Sequence, residues 1–215
     1  MIGFLGGTGP EGRGLALRFA IAGRDVMLGS RESSRAVAAA QELTSLLPDG
    51  SCITGAGNLE VAKKAEIVFV TVPYNAHQQT LVALTDAISD KILVDVVAPL
   101  AFDRGRAQAI TVPEGSAAQQ AQSLLPNARV VAAFHNISAE DLLIPDREVN
   151  CDVIVCSDDK NAKSDIMKLA EVIPGVRAVN GNGLDCSRYV EELTALLLNI
   201  NRIHKSRSMI KIVGV

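Results

Sequence analysis

The most constraining feature of the chain is a glycine turn, Gly7-Thr8-Gly9-Pro10-Glu11-Gly12, which reads G-x-G-x-x-G. It follows the apolar run Ile2–Leu5 directly and opens a segment carrying Leu15, Leu17 and Phe19 at helical spacing. In a strand–turn–helix of this kind each glycine has a task. Gly7 permits the tight turn, Gly9 lets backbone amides approach a pyrophosphate, and Gly12 lets helix and strand pack closely. The start of the helix adds unpaired N–H groups and the positive end of its dipole, which suit an anion. A merely glycine-rich connection is the competing reading, and the flanking strand and helix weigh against it. The turn, Gly7, Thr8, Gly9, Pro10, Glu11 and Gly12, is therefore a candidate dinucleotide site.

The second strand selects the dinucleotide. NAD-specific versions place Asp or Glu near its end, about 20 residues beyond the glycines, to bond the ribose 2′-hydroxyl. Here the tip reads Gly29-Ser30-Arg31, with Arg35 four residues later and no carboxylate on the tip. Arg31 is suited to a 2′-phosphate and to lying over the adenine, Ser30 to donating its hydroxyl, and Arg35 to closing the clamp from the next helix. Solvated arginines at a helix start are the alternative, and Glu32 could answer Arg35 locally. Cations in a first turn oppose the helix dipole, so an anion between them accounts for them better. NADP is the expected cofactor.

Beyond the turn, short β-branched runs alternate with Ala-, Leu- and Gln-rich stretches. Strands are expected at Ile2–Leu5, Asp25–Leu28, Ser51–Thr54, Ile67–Val72, Lys91–Val97, Arg129–Phe134, Asp152–Cys156 and Val176–Val179. Helices are expected at Gly12–Ala22, Ser33–Leu46, Leu59–Lys64, Asn75–Ile88, Ser116–Leu125, Lys160–Ile173 and Asp185–Lys205. The alternation predicts a Rossmann-type α/β fold: a doubly wound, mostly parallel sheet with a small C-terminal α/β unit. The division is expected after Phe134–Asn136, giving a dinucleotide-binding domain over 1–136 and a smaller unit over 137–215. Ala98 to Gly115 reads as a long irregular stretch, functional or mobile.

Composition removes several function classes. The net charge of −3 and 3% aromatics offer neither a field for polyanions nor platforms for stacking bases, so no nucleic-acid partner is expected. The apolar run Leu193–Ile200 is far shorter than the ~20 residues of a membrane span. The chain opens on a strand rather than on a leader, and Cys52, Cys151, Cys156 and Cys186 form no C-x-x-C pair; buried, reduced thiols and a cytoplasmic location are expected. No metal-ligand spacing, nucleophile triad or pair of catalytic acids is evident. His135 closes a strand at the carboxyl edge where such sheets bind ligands, although a histidine satisfied by backbone would look the same. His77 reads as a surface or packing residue and His204 as solvated. Thr71-Val72-Pro73 ends a buried strand, where proline stops the ladder and suits backbone lying beneath a ring.

Gly6-Gly7-Thr8-Gly9, Gly12-Arg13-Gly14-Leu15-Ala16-Leu17-Arg18 and Gly29-Ser30-Arg31 together resemble the opening of the NADPH-dependent coenzyme F420 reductase family. Thr71-Val72-Pro73, the His135 segment, Ser187-Arg188 with Val190-Glu191, and Leu193-Thr194 running into Leu198-Asn199-Ile200 extend the resemblance over nearly the whole chain. It implies direct hydride transfer between the 5-carbon of the deazaflavin coenzyme F420 and the 4-carbon of the nicotinamide, the two rings stacking in a cleft between the domains. It further implies that Thr8, Ser30, Arg31 and Arg35 hold NADP, that Val72 and Pro73 lie beside the nicotinamide, and that His135 and Ile137 lie near the deazaflavin. It implies a homodimer; Leu193, Leu196, Leu197 and Ile200 follow helical spacing and read equally as core residues or as a face against a second subunit. The segment His204-Lys205-Ser206-Arg207-Ser208 departs from the family's glycine-rich turn. Arg104, Arg106, Lys205 and Arg207 are candidates for the coenzyme's anionic tail, or simply solvated charges. Two rivals stay open: an NADPH-dependent reductase of another small acceptor (a flavin or an imine), and a non-catalytic NADP-binding regulator.

Overall fold

The computed structural model describes residues 1–48 and 51–215. Its first half alternates β1 (Ile2–Leu5), α1 (Pro10–Ile21), β2 (Val26–Ser30), α2 (Ser33–Thr44), β3 (Ile53–Gly57), α3 (Asn58–Lys64), β4 (Ile67–Val70), α4 (Tyr74–Val82), α5 (Thr85–Ile88) and β5 (Ile92–Asp95). A hairpin of β6 (Leu100–Asp103) and β7 (Arg106–Ala109) follows, then α6 (Ala117–Leu124) and β8 (Arg129–Ala132). The remainder contains α7 (Ala139–Leu142), β9 (Cys151–Val155), α8 (Lys160–Ala170), β10 (Val176–Asn180) and the long α9 (Ser187–His204).

The central sheet has the order β3-β2-β1-β4-β5-β8, with every neighbouring pair parallel. This is the doubly wound arrangement expected from the alternation of strands and helices. Its strand order reverses beside β1, so the connections after β1 and β4 leave in opposite directions and open a crevice. The strands are apolar on both faces, and successive residues serve opposite cores: Phe4 and Phe69 pack with Leu15, Phe19 and Phe134, while Leu5, Val68 and Val70 pack with Leu81 and Leu93. Four of the five phenylalanines, Phe4, Phe19, Phe69 and Phe134, form one ring cluster with centroids 4.8–6.3 Å apart.

The C-terminal part is a parallel pair, β9 and β10, joined through α8. An antiparallel bridge between Ala132 and Cys156 ties this pair to the end of β8. Arg18 of α1 ties it again: its guanidinium donates to the carbonyls of Asp141, Leu142, Ile144, Pro145 and Arg147 at 2.6–3.0 Å. The tail lies along β9, where the Asp152 N–H donates to the Ile210 carbonyl and the Ile212 N–H to the Asp152 carboxylate.

Three expectations change. The stretch Ala98–Gly115 is not irregular throughout; it holds the β6–β7 hairpin, turned by Arg104 and Gly105, both at positive φ (48° and 77°). Two central residues of that kind form the turn whose twist suits a hairpin. The single helix expected over Asn75–Ile88 is two, because Thr85 donates its hydroxyl to the Val82 carbonyl and the chain bends to bury Leu81, Leu84 and Ile88. Cys151 and Cys156 are buried as expected, but Cys52 is exposed and Cys186 half-buried; all four are free.

Candidate functional site

The crevice at the strand-order reversal is a cavity of about 840 Å³, near the upper end of the range for small-molecule sites. Its walls come from the carboxyl ends of β1, β2, β4, β5 and β8. Ten of the predicted residues meet there: Thr8, Gly9, Pro10, Glu11, Ser30, Arg31, Arg35, Val72, Pro73 and His135. Gly7, Gly12 and Ile137 do not line it. Ile137 belongs to the core cluster around Phe134 and Leu142.

The glycines divide their work differently from the expectation. The positive φ of the turn belongs to Gly6 (69°), whose N–H donates to the Asn58 side chain at 3.2 Å. Gly7 and Gly12 are required by space: a Cβ on Gly7 would stand 2.7 Å from the Phe4 Cβ, and one on Gly12 would stand 2.7 Å from the Gly7 Cα. A Cβ on Gly9 would meet nothing within 4 Å. Gly9 thus leaves open the space that a diphosphate needs against the first turn of α1, where Pro10 takes the position that has no use for an N–H. The Gly7 N–H donates to the Gly29 carbonyl (2.9 Å), and the Thr71 hydroxyl and N–H both donate to the Leu5 carbonyl (2.9 and 3.0 Å). These bonds fix the ends of β1, β2 and β4 as one rim.

At the β2 end, Ser30 is buried and its hydroxyl accepts from the Glu32 N–H at 3.3 Å. Arg31 and Arg35 are exposed on the cavity rim. Among the described residues neither forms an ion pair, so Glu32 leaves Arg35 free. Two unengaged guanidiniums beside an anion-ready helix start fit the phosphate clamp expected from the sequence.

At the opposite end the polar group is buried. His135 is only 8% exposed, and neither ring nitrogen has a hydrogen-bond partner. Burial pushes its pKa down to about 4, against the opposing pull of Asp95, so it is neutral at physiological pH. A neutral imidazole offers one donor and one acceptor to a ligand but no charge. It is positioned from both sides. Phe134 adopts φ 68°, a conformation that is a genuine outlier for a bulky side chain, and its ring is locked in the phenylalanine cluster. From α9, Thr194 donates to the His135 carbonyl at 3.1 Å, while Asn136 donates to the Val190 carbonyl at 3.0 Å. Glu11, across the turn, also keeps an unpartnered buried oxygen, Oε1, and burial raises its pKa to about 8.

Beneath the floor lies a polar network. His77 is fully buried rather than superficial, with Nε2 2.7 Å from Asp95 and Nδ1 3.3 Å from the Gln120 oxygen. Asp95 also accepts from the Val97 N–H, and Val97 lines the cavity. Asn58, Tyr74, Gln79 and Thr194 complete the walls; side chains from three separate elements carry no joint sequence signal before the fold is known. Of the cations considered for an anionic tail, Arg207 is held by Glu140 and Asp141 at 2.7 and 2.8 Å, whereas Arg104, Arg106 and Lys205 are exposed.

A family model described as coenzyme F420-dependent NADP oxidoreductase matches residues 1–99. An F420-dependent NADP reductase from Methanothermobacter marburgensis is 41% identical over 212 residues, covering 96% of this chain and 95% of that protein. The chain belongs to the F420-dependent NADP reductase family. Another member, from Methanocaldococcus jannaschii, is 36% identical over 211 residues, covering 96% of this chain and 94% of its own. A crystal structure of a candidate F420-dependent NADP-reductase from Arthrobacter sp. FB24 superposes with a TM-score of 0.84 at 26% identity, covering 99% of this chain and 98% of that one. The relatives and the superposed structure thus cover nearly the whole chain, and the family model covers residues 1–99 of it.

Proposed function

We propose that this chain transfers a hydride between NADP(H) and the deazaflavin coenzyme F420. The observation that carries the reading is the polarity of one continuous cleft. One end has a glycine turn with space at Gly9 and the free Arg31–Arg35 pair; the other holds the buried, unpartnered His135. The family relatives favour F420 over a flavin or an imine as the second substrate. When bound, the two coenzymes supply the chemistry, since each is a hydride carrier.

The chain's own residues bind, orient and exclude water. The start of α1 and Arg31–Arg35 hold the anionic half of the dinucleotide, and Val72 and Pro73 form a firm edge under the nicotinamide. His135 meets a polar edge of the deazaflavin, and Thr194 fixes the loop that carries it. Proximity and alignment at about 3–3.5 Å between reacting atoms are what such a site contributes. Residues 1–136 serve as the dinucleotide-binding domain, and 137–215 as the smaller unit closing the deazaflavin side. Ile137 then acts from the core, through the packing of the His135 loop. Tyr189, Leu196 and Ile203 stand exposed at seven-residue spacing on α9, and Phe102 stands exposed on the hairpin that α9 carries. They support a homodimer, which light scattering would show as twice the chain mass. The free cysteines support the cytoplasm as its location; reaction of native protein with a thiol reagent, before and after reduction, checks their state.

The test is purified protein with NADPH and oxidised F420, followed by loss of the deazaflavin absorbance. Protein that binds NADPH yet never reduces F420 leaves the reductase of another acceptor or the NADP-binding regulator standing. His135→Ala should weaken F420 binding or slow transfer while leaving NADPH affinity nearly unchanged. Unchanged F420 affinity and rate would remove His135 from the site.

A further inference from the structure

Glu11 is a residue of the glycine turn whose type neither the turn nor the helix explains. Gly7, Gly9 and Gly12 answer to space, and Pro10 to the helix start. An acidic residue in a first turn is ordinarily favourable because it is solvated and faces the dipole. Glu11 instead lines the cleft with Oε1 sealed from solvent and without a partner. No cation answers it. Arg31, Glu32 and Arg35 occupy the β2–α2 rim, Tyr74 the start of α4, Asp95 the end of β5, His135 the end of β8, and Cys151 the strand β9 behind it. His135 and Cys151 are both uncharged at neutral pH, with pKa values of about 4 and about 12. Among the described residues Glu11 forms no ion pair. The group therefore stays protonated well above the ordinary carboxyl range, to about 8.

A buried polar atom left unpaired costs about 1–3 kcal/mol, so two of them in one cleft, at Glu11 and His135, mark where a ligand's polar edges belong. A neutral carboxylic acid presents an O–H donor beside a carbonyl acceptor. That pattern is the complement of a primary carboxamide, which offers a carbonyl acceptor beside an N–H donor. A dinucleotide whose diphosphate lies against α1 carries such a group on its nicotinamide, and Glu11 lines the same cleft as Val72 and Pro73. An ionised Glu11 would lose the donor and repel both the carboxamide oxygen and the diphosphate.

We propose that Glu11, as a neutral acid, is a specificity-determining residue that pairs with the nicotinamide carboxamide, donating its O–H to the amide oxygen and accepting an amide N–H. The inference rests on the reading of the cleft as an NADP site. It is tested by equilibrium binding of NADP+ and of its thionicotinamide analogue, in which a weakly accepting sulfur replaces the amide oxygen and the amide N–H groups are kept, to full-length protein without F420. Measurements at pH 6.5 and 9.5 compare wild type with Glu11→Gln and Glu11→Ala. Wild type should prefer NADP+ by about tenfold at pH 6.5, the worth of one hydrogen bond of about 1.4 kcal/mol, and should lose most of that preference at pH 9.5. Glu11→Gln keeps a donor and an acceptor and should hold the preference at both pH values; Glu11→Ala should show none. Ionisation of the 2′-phosphate is common to both ligands and cancels in the ratio. A preference that survives in Glu11→Ala, is lost in Glu11→Gln at pH 6.5, or does not change with pH in wild type overturns the proposal. Failure of the function reading looks different: NADP+ discrimination as described, with no F420 reduction, leaves Glu11 in place and removes only the deazaflavin.

Discussion

At the scale of single residues, the cleft separates groups that serve the fold from groups that serve a ligand, and substitutions can tell them apart. Gly9→Ala introduces a Cβ into open space, so the protein should fold with an unchanged melting temperature and lose NADPH affinity. Gly12→Ala drives a Cβ to 2.7 Å from the Gly7 Cα, backbone that cannot step aside, and should lower the melting temperature as well. Isothermal titration beside thermal melts checks the pair; a Gly9→Ala protein with wild-type affinity would remove the diphosphate from the turn. Arg31→Ala should cost about 1.5–3 kcal/mol of NADPH binding, roughly ten- to over a hundredfold, with little effect on NADH. Equal losses for both cofactors would show that Arg31 does not read the 2′-phosphate. Most of this end was legible, because one short motif names its residues in order. The roles inside the motif were less so: that Gly6 rather than Gly7 takes the positive φ depends on how the turn meets Asn58 and Val72, residues of α3 and of the segment after β4.

At the scale of elements, regular spacing was readable and short pieces were not. The strands of the sheet and the long helices announce themselves by period, to within a few residues. The hairpin does not: Leu-Ala-Phe-Asp and Arg-Ala-Gln-Ala alternate weakly, and Arg104-Gly105 lacks the Asn or Asp that usually marks its turn. Its stability comes from α9, where the Asn199 amide accepts from the Ala107 N–H (3.0 Å) and donates to the Ala107 carbonyl (2.8 Å). Asn199→Ala leaves both backbone groups unpaired, a loss of about 1–3 kcal/mol confined to this contact. Amide exchange over residues 100–109 should accelerate about tenfold or more while the global melting temperature moves little. Unchanged exchange there would mean that other contacts hold the hairpin. The four-residue α7 carries no sequence signal for a similar reason, since one turn has no period. Its anchor, Arg18, reads in sequence as an ordinary helix-surface charge until its five carbonyl partners are brought to it by the fold.

At the scale of the whole molecule, the buried pair under the cleft couples stability to pH, and its sign can be worked out. His77 faces oxygens on both sides, because Gln120 donates its own amide nitrogen to Glu114 and so presents Oε1 to the ring. A neutral imidazole has one N–H and can serve only one of these acceptors; the imidazolium serves both. Burial alone would depress its pKa, but the charge and hydrogen bond of Asp95, with the bond to Gln120, outweigh burial and hold it above the ordinary value of 6.5. The folded state therefore binds the proton more tightly than the unfolded chain does. The stabilisation is complete below about 6.5 and is lost as pH rises through the folded pKa. Glu11 and Glu191, each raised to about 8 mainly by burial, also make stability fall with pH, between about 4.5 and 8. The wild-type curve alone would not isolate the histidine. The difference between wild type and His77→Gln does, apart from the weaker coupling to Glu191. Urea midpoints from pH 5.5 to 9.5 should give a difference that is largest at the acid end and shrinks, at up to about 1.4 kcal/mol per pH unit, once the pH passes 6.5. A difference that stays flat or grows with pH would mean that His77 is buried as the neutral base. Because Asp95 also fixes Val97 in the cleft wall, the same variant should raise the Michaelis constant for NADPH at pH 6.5, where the pair is intact in wild type.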